Sequence, residues 1–81
     1  MQNKVLVEII IPDIEKRYEI FLPINKKIGN IIILLNRGIK ELNSDHEQKN
    51  FLYNRDTGKK YEVDTLLYNT DIRNGTALIF I

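Results

Sequence analysis

The spacing of apolar residues changes at Pro23, and this change constrains the fold more than any other feature of the chain. Before Pro23, apolar side chains recur at every second position, which is the period of a β-strand. From Ile28 onward they recur every three or four positions, as on the buried face of a helix. The sequence therefore predicts strands followed by one amphipathic helix, packed as a sheet with the helix across one face.

The residues before this change form two predicted strands. Residues 4–11 are rich in β-branched side chains and stop at Pro12, and residues 17–22 alternate again and stop at Pro23. The short polar connection between them predicts an antiparallel hairpin. The face expected to meet the helix carries Val5, Val7, Ile9, Ile11, Tyr18, Ile20 and Leu22.

The predicted helix has one apolar stripe, and Asn25 is a candidate N-cap residue ahead of it. Gly38 lies inside the pattern and would cost about 1 kcal/mol in a helix interior. We nevertheless expect the helix to continue to about residue 42, because the last two stripe residues keep its phase. The stripe consists of Ile28, Ile31, Ile32, Leu35, Ile39 and Leu42.

Three more short strands are predicted after the helix. A polar loop at residues 43–50 comes first, and Asp56-Thr57-Gly58 and Asn74-Gly75 mark turns. The element order is ββαβββ, which predicts a single α+β domain over residues 1–81 with a mixed sheet and one helix. The predicted strands are residues 51–53, 60–63 and 77–81.

Composition excludes several classes of protein. The chain has no cysteine, so it has no disulfides and no thiolate metal sites. A secreted chain this short would usually have disulfides, and the segment starting at Met1 lacks a signal-peptide layout, so we expect a cytoplasmic protein. With a net charge of +1 and no basic stripe, a nucleic-acid partner is not expected. No apolar run is long enough to insert in a membrane.

Residues that could support catalysis are few. His46 is the only histidine and lies between Asp45 and Glu47 on the polar loop, with Ser44 nearby. Three adjacent loop residues point in different directions, and no second histidine or cysteine exists to complete a metal shell. The sequence also lacks a glycine-rich phosphate loop. We therefore expect no enzyme activity, no cofactor and no metal, and a function in protein binding.

Apolar residues that face away from the helix are candidates for a binding surface. On the open face of the sheet we expect Leu6, Leu52, Ile79 and Ile81, with Ile10 and Phe21 on the same face. Contiguous exposed apolar patches commonly mark interaction sites. A register shift of one residue would exchange the faces and place Phe51 and Tyr53 outside in place of Leu52.

The helix offers a second candidate surface. Ile33 and Leu34 fall outside the buried stripe at 100° per residue. They would then lie on the outer face of the helix, available to an oligomer or a membrane complex. The alternative is a rotated helix with one of the two in the core.

These elements resemble ubiquitin-like β-grasp domains over nearly the whole chain. Leu22-Pro23 ends the second strand and Lys27-Ile28-Gly29-Asn30-Ile31 opens the helix as in those domains. The closing pattern is also similar, with Leu67 and Ile72 anchoring a long connection before a glycine turn. Leu78 and Phe80 then alternate into the core. The resemblance implies a sheet in which the first strand lies between the second and the last, and the third flanks the last. Leu6, Leu52, Ile79 and Ile81 would then cluster on its open face.

Within that superfamily the chain looks most like the YukD/EsaB group, small bacterial ubiquitin-like proteins of type VII (WXG100) secretion systems in Firmicutes. Its length is similar, and so are Asn74-Gly75 and the closing strand that follows, although the group's usual Gly-Asp is Gly75-Thr76 here. The resemblance implies an accessory protein that binds secretion-system components. Whether the chain also forms a homo-oligomer stays open.

Two other functions stay open at this level. Some oxygenase complexes contain small β-grasp subunits, and a co-purifying oxygenase would indicate that role. Sulfur carriers and protein modifiers require a flexible Gly-Gly tail. The sequence printed here ends at Ile79-Phe80-Ile81, so we expect no conjugation unless the true C-terminus extends to Gly-Gly.

Overall fold

A computed structural model of the protein describes residues 3–43 and 47–81. The interpretations of Ser44, Asp45 and His46 fall outside the described residues. Four strands form one sheet in the order β2-β1-β4-β3. β1 is antiparallel to β2 and parallel to β4, and β3 is antiparallel to β4. The elements are β1 (Lys4–Ile11), β2 (Lys16–Pro23), α1 (Ile28–Gly38), β3 (Leu52–Asn54) and β4 (Ala77–Phe80), with 3-10 turns at Pro12–Ile14, Lys40–Leu42 and Leu67–Asn69.

The α+β fold class is confirmed, and so is the position of β1 between β2 and the last strand. Helix α1 covers one face of the sheet and buries the four stripe residues that it contains, which are Ile28, Ile31, Ile32 and Leu35. Within the described residues, no helix has the length and apolar character needed to span a bilayer. The largest fully buried side chains of the core are those of Phe80, Ile9, Ile11, Ile28, Ile31, Leu42, Leu52, Leu67, Ile72, Leu78 and Val7.

The start of α1 is capped differently from the prediction. Lys27, not Asn25, holds the N-cap position, and no side chain caps the helix. The first helical N–H groups instead bond to the connection that follows β3, since Ile28 N donates to Thr65 O and Gly29 N donates to Val63 O, each at 2.9 Å. A Cβ on Gly29 would lie 3.3 Å from Val63, so glycine permits this close approach.

The end of α1 also differs from the prediction. The helix stops at Gly38, and Ile39 adopts an extended conformation before the 3-10 turn Lys40–Leu42. Ile39 and Leu42 are nevertheless buried, as their phase predicted. Gly38 explains the early stop, because glycine in a helix interior loses more backbone entropy than any other residue. The 3-10 turn after the helix therefore brings Ile39 and Leu42 into the core, where a longer helix was expected to place them.

The predicted strand at residues 60–63 is reduced to an isolated bridge between Tyr53 and Lys60. Tyr61 points into the molecule, where its hydroxyl donates to Asp71 Oδ1 at 2.6 Å and accepts from Asn54 Nδ2 at 3.0 Å. The pKa of Tyr61 is raised to about 12, mainly because its hydroxyl is buried. This buried network holds the segment in an irregular path, so the sheet of the described residues has four strands.

Candidate protein-binding site

One row of side chains crosses the open face of the sheet. Ile10 on β1 pairs with Ile79 on β4, and Ile79 pairs with Tyr53 on β3. All three are half-buried, whereas their strand neighbours Ile9, Leu78 and Leu52 lie under the helix. Alternation along each strand thus places three apolar side chains of adjacent strands side by side on the face that α1 does not cover.

A second pair extends this row at the end of β3 and β4. Phe51 and Ile81 exchange backbone hydrogen bonds, with N···O distances of 2.8 and 3.0 Å. Phe51 is 42% exposed and Ile81 is 46% exposed, more than the half-buried residues of the row. The ammonium of Lys60 lies 4.6 Å from the centre of the Phe51 ring, a distance that allows a cation–π contact. The open-face patch is defined as Ile10, Phe51, Tyr53, Ile79 and Ile81.

A charged row borders the open-face patch. Glu8 lies 3.4 Å from Arg17 and 3.7 Å from Arg55, so one carboxylate is bracketed by two guanidinium groups. Such exposed pairs add little stability. These ion pairs place charges beside an apolar surface. Protein interfaces have the same arrangement, with an apolar centre and a polar rim.

Leu6 lies on the open face as predicted, but beyond this charged row. It pairs with Phe21 on β2, not with a residue of the open-face patch. Its backbone N–H donates to Asn74 Oδ1 at 2.8 Å, and its carbonyl accepts from Gly75 N at 2.8 Å. Gly75 has φ +91°, which confirms the predicted tight turn. Leu6 and Phe21 border a separate depression, which Asn74 and Gly75 also line.

The prediction that Leu52 is exposed was wrong. Leu52 is 0% exposed and pairs with Phe80, whose side chain is also in the core. The register of β3 is shifted by one residue from the expected one, which exchanges its faces. Ile79 and Ile81 are on the open face as predicted, and Phe51 and Tyr53 take the place of Leu52.

Asn54 is the residue that fixes this register. Its Oδ1 accepts from the N–H groups of Asp56 and Thr57, at 2.8 and 3.1 Å, and its amide nitrogen reaches the buried Tyr61 hydroxyl. An inward Asn54 places Leu52, two residues earlier, inward as well. The sequence signal was the asparagine directly before a turn, which indicates side-chain to backbone hydrogen bonds.

Ile33 and Leu34 lie on the outer face of α1 and are each about half exposed, at 48% and 47%. Their predicted exposure is confirmed. They lie on the opposite layer from the open-face patch, because the helix separates them from the sheet. The six residues expected to bind a partner are therefore distributed over the open face, the core and the outer helix face.

Within residues 3–43 and 47–81, no group of three or more histidine, aspartate or glutamate side chains is arranged to hold a metal ion. No protein-family model matches the sequence, and no curated protein matches it either.

Solved structures share its fold. The ubiquitin-like domain of an Arabidopsis thaliana protein has a TM-score of 0.74 at 12% identity, over 99% of this chain and 78% of that one. The N-terminal ubiquitin-like domain of the 4931431F19Rik protein has a TM-score of 0.74 at 18% identity, over 100% of this chain and 76% of that one.

A third match is a chain of the MycP5-free ESX-5 inner membrane complex in State II. It has a TM-score of 0.67 at 18% identity, over 99% of this chain and 21% of that longer chain. Identities this low show the fold alone. The four-stranded mixed sheet, the strand order and the single helix agree with it, and the chain has the ubiquitin-like β-grasp fold.

Proposed function

We propose that this chain is a protein-interaction module that binds its partner through the open-face patch. The observation that carries the proposal is the contiguity of Phe51, Ile81, Tyr53, Ile79 and Ile10 on the uncovered side of the sheet. Large apolar side chains in contact with each other and exposed to water lose unfavourable hydration when a partner covers them. The charges at Glu8, Arg17 and Arg55 would orient that partner.

The partner we propose is a component of a type VII secretion system, in which the chain acts as a cytoplasmic accessory protein. Two observations support this. The sequence resembles the YukD/EsaB group, and the fold resembles part of a chain in the ESX-5 inner membrane complex. The proposal includes binding without catalysis and without covalent attachment, because shape and apolar complementarity of the open-face patch are sufficient for docking.

A complementation experiment tests this function. In the organism that encodes the chain, deletion of its gene should reduce export of the WXG100 substrates, and the unaltered gene should restore export. Phe51→Asp should fail to restore it, because a carboxylate buried against an apolar partner is desolvated and unpaired. Substitution at this exposed position should change the free energy of unfolding of the chain by only about 0.5 kcal/mol.

Tyr68→Asp is the matched control for Phe51→Asp. Tyr68 is also an exposed aromatic residue, but it lies in the 3-10 turn Leu67–Asn69, whose backbone bonds to Ile24. Export should be normal with this variant. Normal export with Phe51→Asp, or without the gene, would exclude the proposed role.

A further inference from the structure

A depression of about 430 Å³ lies on the outer face of α1, on the layer opposite to the open-face patch. The residues that line it recur three or four positions apart, so they form one row along about three turns of helix. All of them are exposed, and the buried residues of α1 lie on its other side. The outer-helix row is defined as Lys26, Asn30, Ile33, Leu34 and Arg37.

Both charged residues of the outer-helix row are basic. Lys26 lies at one end and Arg37 at the other, and the aliphatic side chains of Ile33 and Leu34 lie between them. Among residues 3–43 and 47–81, neither Lys26 nor Arg37 forms an ion pair. Helix α1 itself contains no acidic residue. The row therefore has an apolar centre and a basic rim, which suits a partner with negative charge.

The backbone beneath the row is held at both ends. Lys26 O accepts a hydrogen bond from Leu67 N at 2.9 Å, ahead of the first turn of the helix. At the other end, Asn36 exchanges two hydrogen bonds with Lys49, next to Arg37 in the chain. A surface that is already ordered loses less conformational entropy when a partner binds.

We propose that the outer-helix row binds an acidic amphipathic helix of a partner protein, packed alongside α1. Apolar side chains of that helix would cover Ile33 and Leu34, and carboxylates towards its two ends would pair with Lys26 and Arg37. Helices that pack at a small crossing angle contact each other through residues three and four positions apart, which is the spacing of this row. The proposal does not depend on the open-face patch, and both surfaces can be occupied at once.

A second copy of the chain fits the row poorly. Two copies of α1 packed antiparallel would bring Lys26 of one copy near Arg37 of the other. Parallel packing would bring each of these basic residues near its own counterpart. Both orientations place like charges together, and like charges disfavour association.

An anionic membrane surface matches the charge of the row but not its apolar content. Helices that lie on membranes bury a broad apolar face. The outer-helix row has two aliphatic side chains, and the polar Asn30 lies between them and Lys26. Two basic residues give only a weak attraction to anionic lipids. The observations therefore favour a protein helix.

A synthetic helix-forming peptide tests the proposal. One face of it carries leucines three and four positions apart at the centre and glutamates near both ends. Titration into the full chain should shift the amide resonances of Asn30, Leu34 and Arg37 in NMR spectra and leave those of Tyr53 and Ile79 unchanged. A peptide with lysines in place of the glutamates should bind roughly tenfold more weakly. The same loss should follow when the leucines are distributed around the peptide helix.

Arg37→Glu should weaken binding of the glutamate peptide roughly tenfold and strengthen binding of the lysine peptide, because reversing both charges restores the attraction. Lys59→Glu is the matched control. It makes the same change in net charge at an exposed residue outside the row, so it should bind like the parent. Ile33→Ala should weaken binding of the glutamate peptide roughly tenfold, because it removes apolar contact area.

The proposal is overturned if the glutamate peptide does not shift the α1 resonances, or if Arg37→Glu binds both peptides like the parent. It is equally overturned if these resonances shift with protein concentration alone, which would indicate a second copy. Sedimentation of the parent, but not of Arg37→Glu, with phosphatidylglycerol vesicles would indicate a membrane surface instead. Phe51→Asp should bind the glutamate peptide like the parent, and a loss there would place the peptide on the open-face patch.

Discussion

Replacing Leu35 with alanine should lower the free energy of unfolding by about 2–5 kcal/mol, the range observed for buried leucines. Leu35 is 4% exposed and lies on the face of α1 that packs against the sheet. The substitution removes buried methyl groups and leaves a cavity that a close-packed core fills only in part. Since domains of this kind are stable by about 5–15 kcal/mol in total, the variant should melt at a much lower temperature than the parent.

Leu34→Ala provides the control on the same helix. Leu34 is adjacent in sequence but 47% exposed, so the same chemical change should alter stability much less. Thermal and urea unfolding followed by circular dichroism would measure both variants. Equal losses of stability at the two positions would contradict the orientation of the helix.

Replacing Leu52 with aspartate should have a still larger effect and prevent folding. Leu52 is fully buried opposite Phe80, and a carboxylate there has no partner. A desolvated charge in this position either stays ionised at a high cost or takes up a proton, and both destabilise the folded state. Phe51→Asp, one residue earlier, should remain folded, because that side chain faces water.

This pair of variants tests the register of β3 directly. The folded fraction of each can be measured from the dispersion of amide resonances in an NMR spectrum. A folded Leu52→Asp chain together with an unfolded Phe51→Asp chain would mean that the two faces of β3 are exchanged.

The parts of the fold that the sequence predicted are those with long apolar patterns. β1 and β2 each contain eight residues, so alternation determines which side chains face the helix. The apolar stripe on α1 is equally regular. It predicts the exposure of Ile33 and Leu34, which lie outside it. Over this length an error of phase would expose several apolar residues, so only one register is consistent with burial.

The parts that the sequence did not predict are short and depend on distant contacts. β3 has three residues, too few for alternation to select a face, and all of Phe51, Leu52 and Tyr53 are apolar or aromatic. Its register is fixed by Asn54, whose side chain bonds to a turn and to Tyr61.

The irregular path after β3 has a similar cause. Val63 and Thr65 carbonyls accept from the first N–H groups of α1, a contact between segments far apart in sequence. A local propensity for strand at residues 60–63 is therefore overridden by tertiary hydrogen bonds. The open-face patch could not be fully predicted for the same reason, because two of its five residues lie in or next to β3.

Asn36 and Lys49 show how such contacts position the site. The Asn36 amide donates to the Lys49 carbonyl at 2.8 Å and accepts from the Lys49 N–H at 2.9 Å, so helix α1 holds the segment that leads into β3. The Lys49 side chain also pairs with Asp13. Phe51 follows two residues later, so this anchor lies next to the open-face patch along the chain.

Photo-crosslinking in living cells tests the central claim, that the open-face patch is the docking surface for a secretion-system component. Benzoyl-phenylalanine would replace Phe51 in one variant and Tyr68 in another, since both are exposed aromatic residues on different parts of the surface. The Phe51 variant should form an adduct with a type VII membrane-complex component, identified by mass spectrometry, and the Tyr68 variant should not. No adduct from Phe51, or the same adduct from both positions, would contradict the claim.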